Sequence, residues 1–291
     1  VRKCDDLTGE PIMHDGWFEE DTTHGPVRVD TFDESRPHEG KVLGIVQAHA
    51  DDMPLCSGGL VAKLVAEGYK AFIIQTTNDE KCGPGSSGDA IKSNEVDVDA
   101  LASSLGIEEV FNLGYRNHRQ EENSMLEQRC RLIFLFRHLQ VDTLMSFHPW
   151  AKWEENPDHY ITGQLVESAC WMAGMGKDYP EQVQAGMKPH GVRDKYYWVM
   201  RPGSPYNHVT DISPFLDEKI ASMSTNKSQG PAGAHGRRMK ESLAKQGLKL
   251  PAFGDDEGEA DRAYIRLFGL EEHKRMGEPY DLEYAEYHYY F

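Results

Sequence analysis

Residues 42–47 read Val-Leu-Gly-Ile-Val-Gln and run directly into Ala48-His49-Ala50-Asp51-Asp52. A short apolar run without alternation marks a strand covered on both faces. Such a strand needs helices above and below it, which confines the chain to an α/β architecture. The rest of the first half supplies them. Strands are expected at 41–48, 71–77, 109–113 and 141–147, and helices at 60–67, 90–105, 124–139 and 161–174. Gly68 and Gly106 stand where two of these helices should stop. The alternation predicts a doubly wound, mostly parallel sheet with helices on both faces. Ser57-Gly58-Gly59 lacks the G-x-G-x-x-G spacing, so a dinucleotide site is not expected.

Beyond residue 175 the pattern is looser. Residues 175–210 are expected to give a strand pair and a loop over the site, and 212–223 and 257–270 to be helical. The stretch 228–238 is Gly-rich and expected to be flexible, while Tyr284, Tyr287, Tyr289, Tyr290 and Phe291 surround His288 at the end. This divides the chain into an extension at 1–40, draped over the domain or a partner, and a catalytic α/β core at 41–175. A smaller C-terminal portion of the same domain, 176–291, is expected to complete the site with its loops and aromatic tail.

A net charge of -17 argues against nucleic-acid and anionic-membrane partners. No apolar run approaches the roughly 20 residues of a membrane span, and the polar start has no signal-peptide pattern. Five cysteines, Cys4, Cys56, Cys82, Cys130 and Cys170, are too few and scattered for a disulfide framework. Reduced thiols and a cytoplasmic location are expected.

Residues just past the carboxyl ends of parallel strands sit where open α/β sheets bind ligands. His49, Asp51 and Asp52 follow the first strand, and Asn156-Pro157-Asp158-His159 follows the fourth and opens a helix. His49, Asp52 and His159 together make the ligand set of a catalytic zinc, with one coordination position left over. Other divalent ions suit the same donors. Asp51 points away from its neighbour and is free to act as general base, so the pattern indicates metal-assisted hydrolysis of a carbonyl compound. His148, at a strand end, is a further site candidate. Trp150, Trp153 and Tyr160 flank the second motif and could stack on a sugar. Asp79 and Lys81 are candidates for substrate contact.

These motifs resemble the PIG-L/LmbE family of zinc-dependent N-deacetylases, whose hallmarks are A-H-P-D-D and H-P-D-H. Thr76-Thr77-Asn78-Asp79, Glu95 and Leu113-Gly114-Tyr115-Arg116 fit the intervening pattern. The likeness covers about residues 40–175. Pro149-Trp150 through Thr162-Gly163, and the Tyr287-His288 pair, are similar to the diacetylchitobiose and N-acetylglucosamine deacetylase branch. The resemblance implies a Rossmann-like LmbE fold with zinc on His49, Asp52 and His159, and Asp51 moving the proton. It also implies that Arg116 orients the sugar and that Asp158 supports His159. A C-terminal histidine, here His288, would reach a neighbouring subunit's site in a trimer or hexamer.

Two residues depart from the family pattern. Ala50 replaces Pro, and Asn156 replaces the His that polarises the scissile carbonyl, so Asn156 is expected to donate a neutral hydrogen bond there. His148 or His288 could substitute for the missing charge. The expected activity is removal of acetyl from an N-acetylated amino sugar or small glycoconjugate. The alternative is release of a larger acyl group from a thiol conjugate or natural product.

Overall fold

The computed structural model describes residues 26–201, 203–229 and 233–291. Its strands are β1 (Arg28–Asp30), β2 (Val42–Gln47), β3 (Lys70–Thr77), β4 (Glu109–Tyr115), β5 (Thr143–Phe147), β6 (Asp194–Trp198), β7 (His208–Asp211) and β8 (Ala285–Tyr290). They form one sheet in the order β1-β7-β8-β6-β5-β2-β3-β4. Strands β6, β5, β2, β3 and β4 are mutually parallel. The main helices of the first half are α1 (Asp52–Ala66), α2 (Ser87–Leu105), α3 (Met125–Leu139) and α4 (Pro157–Ala173). Alternate residues of β2 and β3 serve opposite faces. Leu43, Ile45 and Ile73 pack with α1 and α2, whereas Val46 and Ile74 pack with α3 and α4. The fold is therefore the expected doubly wound, mostly parallel sheet.

The C-terminal half departs from expectation in its pairing. β6 and β7 are not partners, because β8 runs between them antiparallel to both, with His288 opposite Trp198 on one side and His208 on the other. The aromatic tail is thus an interior strand of the sheet. Its remaining helices are α5 (Pro180–Gln184), α6 (Leu216–Thr225), α7 (His235–Lys245), α8 (Glu257–Tyr264) and α9 (Glu271–Gly277). Helix α7 takes in the last four residues of the stretch expected to be flexible, and a π-turn at Ile265–Gly269 separates α8 from α9. Of the 1–40 extension, residues 1–25 lie outside the described residues. The rest contributes β1, which pairs in parallel with β7 at the sheet edge.

Helix α1 begins eight residues earlier than the sequence suggests and breaks at Ser57, whose φ of -150° is not helical. Gly58-Gly59 is not a loop: a Cβ on Gly59 would lie 2.6 Å from Ile212 Cγ2, so the glycine admits a close approach there. The break frees backbone groups that the buried pair Lys219–Glu286 satisfies. Lys219 Nζ donates to Pro54 O (2.9 Å) and Leu55 O (2.8 Å), and to Glu286 Oε1 at 2.7 Å. Glu286 in turn accepts from Gly59 N (3.1 Å) and Leu60 N (2.7 Å). The first turn of α1 is held independently of the rest of the helix.

Helix α2 shows a second glycine pattern. Gly83-Pro84-Gly85-Ser86-Ser87-Gly88 does carry the G-x-G-x-x-G spacing between a strand and a helix. The Asp89 carboxylate already sits at that helix start, accepting from Ser86 N (2.9 Å) and Ser86 Oγ (2.6 Å) in a capping box. An anion would have to displace it, so the motif is a cap.

Candidate active site

The chain runs from β2 outward through β3 to β4, then returns to the other side of β2 with β5. That reversal makes the carboxyl ends of β2 and β5 the switch point of the sheet, where a crevice opens. His49 lies in the turn after β2, and His159 in the first turn of α4, beyond β5. Gly163 lets α4 approach: a Cβ there would stand 2.9 Å from Phe147 O. His159 stacks on Phe147 with ring centroids 4.3 Å apart. The β2 turn is pinned from several sides. Thr77 Oγ1 donates to Ala48 O (2.7 Å), and Ala50 N donates to Asp79 Oδ2 (2.8 Å). Asp52 Oδ2 accepts from Ala48 N (3.0 Å) and His49 N (2.6 Å).

These constraints bring three donor atoms together. His49 Nδ1 is 3.1 Å from His159 Nε2, which is 3.3 Å from Asp52 Oδ1. The far nitrogen of each imidazole faces a carboxylate. His49 Nε2 lies 3.1 Å from Asp158 Oδ2, and His159 Nδ1 lies 3.3 Å from Glu154 Oε1. With a proton on each far nitrogen alone, as metal ligation requires, the two near nitrogens would converge bare with Asp52. Carboxylate-oriented imidazoles of this kind are the arrangement of metal ligands. Asp158 is held in turn by Asn117 Nδ2 (3.0 Å) and His118 N (2.7 Å). The residues present therefore suit a divalent metal of the zinc type.

Charge in this cluster is unevenly distributed. Burial disfavours the charged form of His159, yet Asp52 and Glu154 outweigh it and raise its pKa to about 9. His49 is likewise held above the usual imidazole range, burial being overcome by Asp52 and Asp158. Burial would raise Asp52, but His159 and His49 hold it well below the ordinary carboxylate value. Asp51 behaves oppositely: loss of hydration, then the charge of Asp52, push it up to about 6. Two adjacent carboxylates thus have separated affinities for protons, the pattern of a ligand beside a proton carrier.

The remaining expected residues fall in different places. Asn156 caps α4 by accepting from Asp158 N at 3.0 Å, which turns its Nδ2 toward His159 Nε2 at 3.3 Å. Asp158 bonds His49 rather than its neighbour His159. Arg116 has an exposed side chain and pairs with Glu80 (2.9 Å) instead of reaching Asp51. His148 lies between Tyr197 and Tyr289, both at 5.4 Å, and accepts from Trp150 N at 3.1 Å. Trp150 and Trp153 are largely exposed. Asp79 is fully buried and braces the turn, so it is not positioned to touch substrate. His288 does not extend to a neighbouring subunit. Its ring is fully buried in β8, with Nε2 2.6 Å from Ser57 Oγ. Glu154, Asn117 and the Lys219–Glu286 brace had no signal in the sequence beyond their residue types.

A switch-point crevice with two imidazoles, a carboxylate facing them and a second carboxylate of raised pKa holds the groups that a metal-dependent hydrolase uses. Residues 45–170, which hold both motifs, match the family model described as PIG-L: GlcNAc-PI de-N-acetylase. It is 25% identical over 198 residues to the diacetylchitobiose deacetylase of Thermococcus kodakarensis, covering 66% of this chain and 70% of the relative. In fold it is similar to N,N'-diacetylchitobiose deacetylase from Pyrococcus horikoshii, with a TM-score of 0.68 at 20% identity over 89% of this chain and 87% of that one. It is also similar to GalB, the 4-carboxy-2-hydroxymuconate hydratase of Pseudomonas putida KT2440, with a TM-score of 0.62 at 16% identity over 86% and 95% of the two chains. The fold therefore serves more than one reaction, and the chemistry rests on side chains.

Proposed function

We propose that this chain hydrolyses the acetamide of an N-acetylated amino sugar or small glycoconjugate, with a divalent ion, zinc foremost, on His49, Asp52 and His159. The observation that carries this reading is the pair of carboxylates, Asp158 and Glu154, beside the far nitrogens of His49 and His159, whose near nitrogens face the Asp52 carboxylate. A zinc ion in that set supplies Lewis acidity and brings the pKa of water down to about 7. Asp51 takes a proton from the attacking water and returns it to the sugar nitrogen as the C–N bond breaks. Its raised pKa suits both halves of that task. Asn156 Nδ2, oriented by its own helix cap, donates to the carbonyl oxygen as negative charge gathers there. The exposed faces of Trp150 and Trp153 receive the sugar, and Arg116 and His148 contribute at the rim.

We further propose that the reaction takes place in the cytoplasm, in a homo-oligomer, a trimer or hexamer. Among the described residues no helix is long and apolar enough to cross a membrane. The testing experiment is product analysis of N-acetylglucosamine and N,N'-diacetylchitobiose incubated with zinc-loaded protein. Acetate and amine in equal amounts support the proposal. Unchanged substrate in the presence of bound zinc contradicts it.

A further inference from the structure

Next to the ligand cluster, and sharing Asp52 with it, is a cavity of about 190 Å3. Leu55 and Cys56 of α1, Val199 and Met200 just past β6, Met276 of α9 and Tyr287 of β8 line it. Asp52, Glu272, His273 and Glu286 add polar groups to this wall. Glu286 is taken by Lys219 and two backbone N–H groups, and the Tyr287 hydroxyl donates to Met276 O at 2.8 Å. Leu55, Glu272 and His273 also line a second cleft of about 530 Å3, bordered by Met223, Tyr264 and Phe268.

An amide attacked beside Asp51 and Asp52 sends its two substituents in different directions. The sugar carries hydroxyls that need partners or solvent. The loop with exposed Trp150 and Trp153 offers solvent and ring faces. The cavity offers a mostly apolar wall, which suits the acyl group. An acetyl methyl alone would leave much of it unfilled, since a cavity of roughly 150 Å3 accommodates benzene.

We propose that this cavity is an acyl-chain pocket, and that the chain cleaves N-acyl amino sugars bearing acyl groups of about four to six carbons at least as readily as N-acetyl ones. The inference rests on the hydrolysis reading above and specifies its substrate. The step balances without a further reactant: water oxygen bonds to the carbonyl carbon, the C–N bond breaks, a proton passes to nitrogen, and a carboxylic acid and an amine leave.

The test compares kcat/KM for N-acetyl-, N-butanoyl- and N-hexanoyl-glucosamine with the zinc-loaded full chain. The hexanoyl value is expected to equal or exceed the acetyl value. Met276→Trp and Val199→Trp, made separately to fill the cavity, are expected to lower the hexanoyl-to-acetyl ratio at least tenfold. A wild-type hexanoyl value below the acetyl value overturns the pocket and leaves acetyl hydrolysis standing. A ratio unmoved in a folded variant of either kind also overturns it. If neither variant folds, the wild-type series decides alone. No release from any of the three overturns the hydrolysis reading and the pocket together.

Discussion

Asp51 and Asp52 are neighbours with opposite assignments, and the difference lies in their partners. Asp52 is tied to two backbone N–H groups and faces both imidazoles, whereas Asp51 meets poor hydration and its neighbour's charge. Asp51→Asn is therefore expected to retain stoichiometric zinc while losing about 10²–10⁴-fold in kcat. Metal analysis alongside kinetics checks this, and wild-type turnover would remove Asp51 from the mechanism. Glu154→Gln and Asp158→Asn each weaken the hold on one imidazole. Each is expected to lower zinc affinity by about 10–100-fold in a competition titration with a chelator. The three candidate ligands were legible in the sequence because they stand in two short motifs after strands. Their supports were not. Successive residues on a helix point about 100° apart, so Asp158 cannot serve His159 and turns instead to His49. Glu154 reaches His159 through a loop path that no periodicity records.

At the scale of elements, the broken helix α1 and its brace are central. The pair Lys219–Glu286 is fully buried and closes both ends of the break at Ser57. Removing one partner leaves an uncompensated charge, so Lys219→Met and Glu286→Gln are each expected to cost about 3–5 kcal/mol in denaturant unfolding. A change within about 0.5 kcal/mol would show the brace to be dispensable. The buried Arg137 plays a comparable part on the other face, donating to Ala173 O (3.0 Å), Met175 O (2.8 Å) and Gln182 Oε1 (2.9 Å) beyond α4. Core strands and amphipathic helices were readable because β2, β3 and α3 have clean patterns. The start of α1 was hidden by Ser57-Gly58-Gly59, which resembles a loop until Ile212 is seen against it. β8 was hidden because its partners β6 and β7 lie far away in sequence and nothing local specifies strand pairing.

At the scale of the molecule, a metal on the candidate triad would couple binding to stability. Without metal, His159 has its pKa raised to about 9 from an ordinary 6.5, so its stabilising contribution is complete below about 6.5 and is lost as pH rises through about 9. Asp79, raised to about 7 chiefly by burial, works in the same direction, because ionising it in the fold becomes unfavourable as pH climbs past its unfolded value. The Tm of chelator-treated protein is accordingly expected to fall between pH 6 and 9.5 by at least about 3 °C, and zinc to flatten that slope by replacing the protons. Calorimetry with and without zinc checks it; a Tm that rises with pH in the metal-free protein would contradict the charge assignment. The net charge of -17 adds self-repulsion but does not define the reaction. The central claim is that the triad and Asp51 cleave an N-acyl amino sugar. Its most direct test is amine release from N,N'-diacetylchitobiose by chelator-treated protein before and after zinc is restored. The account predicts none before, and after restoration one amine for each carboxylic acid. Equal release in both states, or none with zinc in place, would contradict it.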